Sequence, residues 1–542
     1  MITGADWDII IVGAGAAGCV LANRLTASGR YKVLVLEAGG SDNHLWIKVP
    51  AGVTRTMFDP AIGWGYENAP APETGQRAIP CPRGRVIGGS SSINGHLYVR
   101  GQAEDYADWV AQGASGWGWD EVLPYFRRAE TRAGGDASLR GLEGPLQVTD
   151  PRIQHPLCEA FISGMQSLGE PRNPDYNRGD QRGTGYYQYL MKSGRRWSAA
   201  DAYLRPALSR ANLKVETNAH VTRVVFEGRR AVGIEYRRGG SLHVARAKCE
   251  VILAGGSINS PQLLQLSGVG DAALLAQNGI GVVHAAPGVG ENLVDHYAVR
   301  IASRVQGVES LNERTHFPRL VLEVLKYLVA RRGVLASAVA HAYGFVSVAS
   351  QAGRPDLQLL FAPASFEGGK MGRTKMETVP GMTCGVQQLR PLSRGHVRIQ
   401  SSDPFSAPVI QPNYLKHDED VATLVAGIRF MRRLYAAPLL ARYVAHESWP
   451  GAAVESDTQI VEFARTTGST VYHPVGTCRM GSGADAPVDP ATLQVKGIMG
   501  LRVIDASVMP LMVSGNTYAT TIMIAEKGAD MVLSDRSLKF TL

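Results

Sequence analysis

The segment that most constrains this chain lies within its first forty residues. Asp8-Ile-Ile-Ile-Val12 is a continuous apolar run, as expected of a strand buried on both faces of a parallel sheet. Gly13-Ala-Gly15-Ala16-Ala-Gly18 follows at once. Cys19 to Leu25 then has helical periodicity, and a second apolar run, Lys32 to Leu36, closes on Glu37. Strand, glycine-rich turn, helix, strand and acid, in that order, describe a dinucleotide site. Gly13 permits the tight turn, Gly15 lets the backbone approach a pyrophosphate, and Gly18 lets the helix pack on the strand. The helix N-terminus offers free N–H groups and a partial positive charge to the phosphates. Glu37, nineteen residues past Gly18, is placed to accept hydrogen bonds from a ribose. An acid there disfavours a 2′-phosphate, so NADP is disfavoured while FAD and NAD stay open.

At 542 residues the chain is too long for one ordinary core. Two domains, or one large composite, are expected. The net charge of +8 raises the question of nucleic acid, but Lys and Arg are scattered and no basic stripe interleaves with aromatics, so no nucleic-acid partner is expected. Six cysteines without a CxxC give neither a disulfide framework nor zinc spacing, and no metal site is expected. The chain reaches its first strand within a few residues, with no leader pattern. No apolar run attains the ~20 residues needed to span a bilayer. A cytoplasmic protein is expected. Phe317 to Val348 is apolar but broken by Glu323, Lys326, Arg331 and Arg332. It reads as an amphipathic helix followed by a strand: a core helix of the substrate domain, or a peripheral membrane contact.

Further along, Arg83-Gly-Arg-Val-Ile-Gly88-Gly89-Ser90-Ser-Ser-Ile-Asn94-Gly95 is a Gly/Ser-rich segment, rich in backbone donors and poor in bulk. Val251 to Leu253 runs as a strand into Ala254-Gly255-Gly256, and Ser260-Pro261 opens a helix with proline near its first position. From about 300 to 460 strands alternate with amphipathic helices, as at Val397 and at Val421 to Leu434. Near the end come Val471-Tyr472-His473-Pro-Val-Gly-Thr-Cys-Arg-Met-Gly481, Leu501 to Pro510 around Asp505-Ala506, and Ser514-Gly-Asn516-Thr517, which leads into a helix.

At these residues the chain resembles the glucose–methanol–choline oxidoreductase family, over essentially its whole length. One family signature matches Pro82 to Asn94 and a second matches Gly256 to Gly270. Pro287 to His296 and Pro391 to Ile399 also read like family blocks. The resemblance implies an α/β fold: a Rossmann-like FAD-binding domain (1–155, 196–298 and 465–542) with an inserted α+β substrate-binding domain (156–195 and 299–464). It implies FAD, with Glu37 at the adenosine ribose. Trp64, Gly89, Asn94, Gly95 and Val221 would lie along the cofactor, Ala254 and Gly255 on its adenine side, and Asp505 and Ala506 at its phosphate and ribityl region. The same motifs make Ala16, Ala38, Ser90, Tyr472 and Thr517 cofactor-binding positions beside Gly13, Gly15 and Gly18.

His473 falls on the family's catalytic histidine and Asn516 on its active-site partner. The implied reaction takes the hydroxyl proton of a primary alcohol at His473 and moves a hydride to the flavin, giving an aldehyde. Asn516 would hold the developing alkoxide. Members with a covalent flavin can carry histidine just before the signature asparagine. Ile93 stands there, so non-covalent FAD is expected. Choline-acting members use a carboxylate, and the comparable place holds His341, which favours an uncharged aliphatic or aromatic alcohol. Tyr518 and Thr520 replace the usual asparagine and proline and are expected to reshape the flavin edge. The alternatives are a choline-type dehydrogenase and a flavin-containing hydroxynitrile lyase without redox turnover. The electron acceptor would be O₂ or a quinone-like carrier.

Overall fold

In the computed structural model, residues 7–348, 353–369 and 375–535 are described, so residues 1–6, on which the expectation about a leader bears, lie outside it. The first apolar run forms the strand Trp7–Val12, paired in parallel with Val33–Leu36 on one side and with Ser241–Leu253 on the other. Leu213–Glu216 continues the parallel sheet beyond Val33–Leu36, and Leu501–Val503 joins Ser241–Leu253. Ile9, Ile10, Ile11, Val33 and Val251 are all fully buried, which is why these strands lack polar alternation. The sheet extends as an antiparallel meander through Arg230–Arg238 and His220–Glu227.

Connections from Trp7–Val12 run first toward Leu213–Glu216, and the chain then returns on its other flank as Ser241–Leu253. That reversal opens a crevice at the carboxyl ends of these two strands, where parallel sheets bind ligands. Gly13 and Ala254 occupy those ends. The helices Ala16–Thr26 and Tyr518–Ser534 pack together beside the sheet.

A second sheet is antiparallel throughout. Its order is Val444–Trp449, Tyr297–Val305, Gly381–Gln388, Leu357–Ala362, Ala342–Val346 and Gly183–Tyr186, with Ser469–Thr470 also paired to Tyr297–Val305. Alternation decides its faces. Val299, Ile301, Leu359 and Phe361 pack with Phe161, Ile428 and Met431 from the helices Pro156–Ser167 and Asp418–Tyr435. Ala298, Arg300, Leu360 and Gly385 turn the other way and line a cavity shared with the first sheet's crevice. The strand Tyr297–Val305 begins inside the stretch that the sequence assigns to the first domain, and Ser469–Thr470 likewise pairs outside it.

Two local readings change. The helix expected to open at Ser260 starts at Gly256, so Pro261 lies inside it. Proline has no N–H for the carbonyl four residues back, that of Ser257. Thr477 Oγ1 donates to that carbonyl instead, at 2.7 Å. The helix Arg319–Ala330 is present but is not a core helix: only Glu323 and Tyr327 are buried on it.

Candidate active site

One cavity of about 360 Å³ runs from the end of the first strand to the open face of the second sheet. At its inner end the glycines set how closely backbone can approach. A Cβ on Gly13 (φ +99°) would stand 2.7 Å from the Ala254 carbonyl oxygen, and one on Gly89 (φ +54°) would stand 2.7 Å from Gly15 Cα. Gly18 does not line the cavity. A Cβ there would lie 1.9 Å from the Gly13 oxygen, so Gly18 serves helix packing alone. No side chain caps the helix Ala16–Thr26, whose first N–H groups face the crevice.

Glu37 is buried and lines the same end. Its carboxylate accepts from Ala14 N at 2.9 Å and from Gly39 N at 2.8 Å. Burial pushes its pKa up to about 7 against those two donors. Lone pairs remain for two hydroxyls. Trp64 stacks on Tyr66 (5.6 Å, 8°) and meets His220 edge-on, forming an aromatic wall nearby.

Ala16, Ala38, Ser90, Asn94, Gly95, Val221, Gly255, Tyr472, Ala506 and Thr517 all line the cavity, as does Asp505. The Asp505 carboxylate is committed to protein: it accepts from Gly256 N, Ser260 Oγ, Ser507 N and Ser507 Oγ. It therefore anchors the start of the helix at Gly256. Asn94 is oriented by the buried Arg196, which donates to its Oδ1 at 2.8 Å. Tyr518 lines the cavity, while Thr520 hydrogen-bonds Tyr106 away from it.

The residues 2.9–3.0 Å from the ring of His473, His296 and Asn516, come from two distant segments. Pairing of Ser469–Thr470 with Tyr297–Ala298 brings residue 473 beside residue 296. Tyr472 holds a left-handed backbone (φ +73°), an unusual conformation for a tyrosine. Arg83 Nη2 secures it by donating to the Tyr472 carbonyl at 2.7 Å. His473 N donates to Asp295 Oδ1 at 2.8 Å. The His473 Nδ1 lies 3.0 Å from His296 Nδ1, and its Nε2 lies 2.9 Å from Asn516 Nδ2. Asn516 Oδ1 accepts from Gln358 Nε2 at 3.4 Å, which fixes the amide's orientation. On its far side, His296 Nε2 lies 2.9 Å from the Leu389 carbonyl.

Burial, then His296, then Arg83 hold the His473 pKa well below its usual 6.5. His296 falls to about 4, chiefly from burial. Both rings are neutral at neutral pH.

His341 is absent from this arrangement. It is buried, with Nε2 2.9 Å from Ser337 Oγ, and the cavity is lined by its neighbours Val339 and Ala340 instead. Among the described lining residues the only carboxylates are Glu37 and Asp505, both at the inner end. His296, Gln358, Arg83 and His220 were not singled out from sequence. His296 ends the family-like block Pro287 to His296, but nothing local marks its partner 177 residues away.

Models of the GMC oxidoreductase family match residues 7–298 and 391–525. The chain is 41% identical to an alcohol dehydrogenase [acceptor] of Pseudomonas putida, across 99% of this chain and 98% of that protein. It is 42% identical to human mitochondrial choline dehydrogenase, across 98% of this chain and 91% of that protein. Among solved structures, pyridoxine 4-oxidase from Mesorbium loti superposes with a TM-score of 0.88 at 29% identity, covering 98% of this chain and 99% of that one.

Proposed function

The chain belongs to the GMC oxidoreductases, FAD-dependent enzymes acting on CH–OH donors, and from that premise we propose that His473 and Asn516 carry the oxidation of an uncharged primary alcohol to its aldehyde. The cavity suits FAD: the Gly15–Gly89 approach leaves no room for side chains, Glu37 keeps free lone pairs, and the space beyond Gly95 is open. Glu37 would hold the ribose, the first turn of Ala16–Thr26 the pyrophosphate, and Asn94, Gly95 and Ala506 the ring end. With Ile93 before Asn94 we take the cofactor as non-covalent. Bound there, FAD supplies the hydride acceptor.

The observation that carries the assignment is the hydrogen-bonded chain from the Leu389 carbonyl through His296 and His473 to Asn516. The Leu389 carbonyl only accepts, so His296 Nε2 carries its ring's hydrogen. His296 is neutral, so its Nδ1 is a lone pair. His473 Nδ1 must then donate to it, and Nε2 is left as the base, facing Asn516 and the cavity. An alcohol hydroxyl that takes the place of the Asn516 amide at Nε2 gives its proton to Nε2. The amide then hydrogen-bonds the developing alkoxide, and Arg83 adds a nearby positive charge that favours it. Loss of the hydroxyl proton is what makes the carbon a ready hydride donor.

Among the described residues that line the outer end none is a carboxylate, which supports an uncharged alcohol, because no anionic side chain there would pair with a quaternary ammonium. The identity with choline dehydrogenases favours a second, choline-type reading. The relatives divide on the electron acceptor: one at 41% identity is named for an unspecified acceptor and one at 40% is named oxygen-dependent, so O₂ and a quinone-type carrier both fit this reading. We place the enzyme in the cytoplasm. No helix among the described residues is long and apolar enough to cross a membrane.

The test is anaerobic titration of the yellow protein with aliphatic alcohols, aromatic alcohols and choline. Bleaching by uncharged alcohols and not by choline fits this reading. Bleaching by choline alone would replace it with the choline-type one. Adding air or a soluble quinone to the reduced enzyme then separates the acceptors.

A further inference from the structure

The helix Arg319–Ala330 is folded inside out. Its buried positions are Glu323 and Tyr327, one turn apart, while Val321, Leu322, Leu325, Leu328 and Val329 are 50–87% exposed. At 100° per residue these five fall on one arc of roughly 120°, which makes a continuous apolar face. Phe317, just before the helix, is 86% exposed. The inversion has a local cause. Glu323 accepts from Val334 N at 2.9 Å and from Lys326 Nζ at 2.7 Å, and Tyr327 packs with Val49 and Ala336. The polar side is therefore the one the protein holds, and the apolar side faces away from it. Scattered exposed leucines need no explanation, but a whole helical face does.

Cations stand at the C-terminal end of this helix and along the side by which the protein holds it. Arg331 lies over the Tyr327 ring, and Arg332 follows it, exposed. Arg195 is near enough to act on the Tyr327 hydroxyl, and Arg55 stacks on Trp46, which packs with Tyr327. An apolar arc on a helix that ends in arginines matches the interfacial region of a bilayer, acyl chains beneath and phosphates around. A second copy of the chain fits less well, because each carries +8.

We propose that Arg319–Ala330 docks this enzyme on an anionic membrane surface, lying in the interface with Val321, Leu325 and Leu328 inserted. The short turn behind the helix, Val334–Ala336, packs on Pro50–Gly52. The segments that follow those two turns, at Val339–Ala340 and Val53–Thr54, line the cavity. Docking would therefore leave the helix and these two turns between the bilayer and the cavity wall. The inference stands on the surface alone and does not depend on which alcohol is oxidised.

The test is co-sedimentation of the holoenzyme with vesicles of phosphatidylcholine alone or mixed with phosphatidylglycerol. The expected result is about tenfold stronger partitioning to the anionic vesicles. Leu325→Glu with Leu328→Glu should lower partitioning by about tenfold or more, with turnover of a water-soluble alcohol and a dye acceptor unchanged. Arg331→Glu with Arg332→Glu should remove the preference for phosphatidylglycerol. Wild-type protein left in the supernatant of both vesicle types would overturn the proposal, as would undiminished binding of the leucine variant. A dimer by light scattering that the leucine variant splits, with no vesicle binding, would overturn it in favour of an interface between copies.

Discussion

The Nδ1 atoms of His296 and His473 lie 3.0 Å apart, and the Leu389 carbonyl behind His296 decides which ring nitrogen of His473 is the acceptor. The base proposed at Nε2 would thus be set by a residue that lies behind it, away from the cavity. On that proposal His296 is a positioning residue, and control runs from a backbone carbonyl through two imidazoles to the cavity.

Replacing His296 tests that control. His296→Leu leaves His473 Nδ1 with no acceptor and its tautomer unspecified. Flavin reduction should slow by about 10–100-fold, with FAD content unchanged. His296→Gln, whose amide oxygen can accept, should recover part of the loss. Equal loss in both variants would mean that His296 only fills space.

The depressed pKa of His473 predicts a flat pH profile. A base works in its unprotonated form, present above its pKa. With that pKa held well below 6.5, the reduction rate constant at saturating alcohol should not change between pH 6 and 8, and should fall only on further acidification. An inflection at or above 6.5, measured by anaerobic stopped flow, would contradict this.

Gly89→Ala tests the cofactor cradle. Its Cβ would lie 2.7 Å from Gly15 Cα at a left-handed backbone position, so strand end and loop must separate. The Kd for FAD, measured by titrating the deflavinated protein, should rise about tenfold, the equivalent of ~1.4 kcal/mol of binding. An unchanged Kd would show that the loop gives way without cost.

Thr477→Val tests the interior proline. It strips the Ser257 carbonyl of its donor, at a cost of about 1–3 kcal/mol, read as a lower urea midpoint. Adding Pro261→Ala supplies a backbone N–H and should restore stability. If the double variant is no more stable than Thr477→Val, the compensation does not exist.

These residues also show what was legible in the sequence. The cradle was readable because Gly13 to Glu37 is a local pattern whose spacing carries its geometry. That His473 and Asn516 come together was readable from their motifs, and they lie 2.9 Å apart. The bond from His473 to His296 was not, because it depends on Ser469–Thr470 pairing with Tyr297–Ala298 across the second sheet. The helix start at Gly256 was missed for the same kind of reason: Asp505, 249 residues on, accepts from its N–H. In Arg319–Ala330 periodicity revealed an apolar face but not its direction, which the Glu323 bond to Val334 N reverses.

The most direct test of the central claim is single-turnover flavin reduction, without oxygen, by wild type and His473→Ala. Wild type should bleach with a primary alcohol. His473→Ala should hold its FAD and bleach ~10²–10⁴-fold more slowly. A variant that reduces at the wild-type rate, or a wild-type flavin that no alcohol bleaches, would contradict the account.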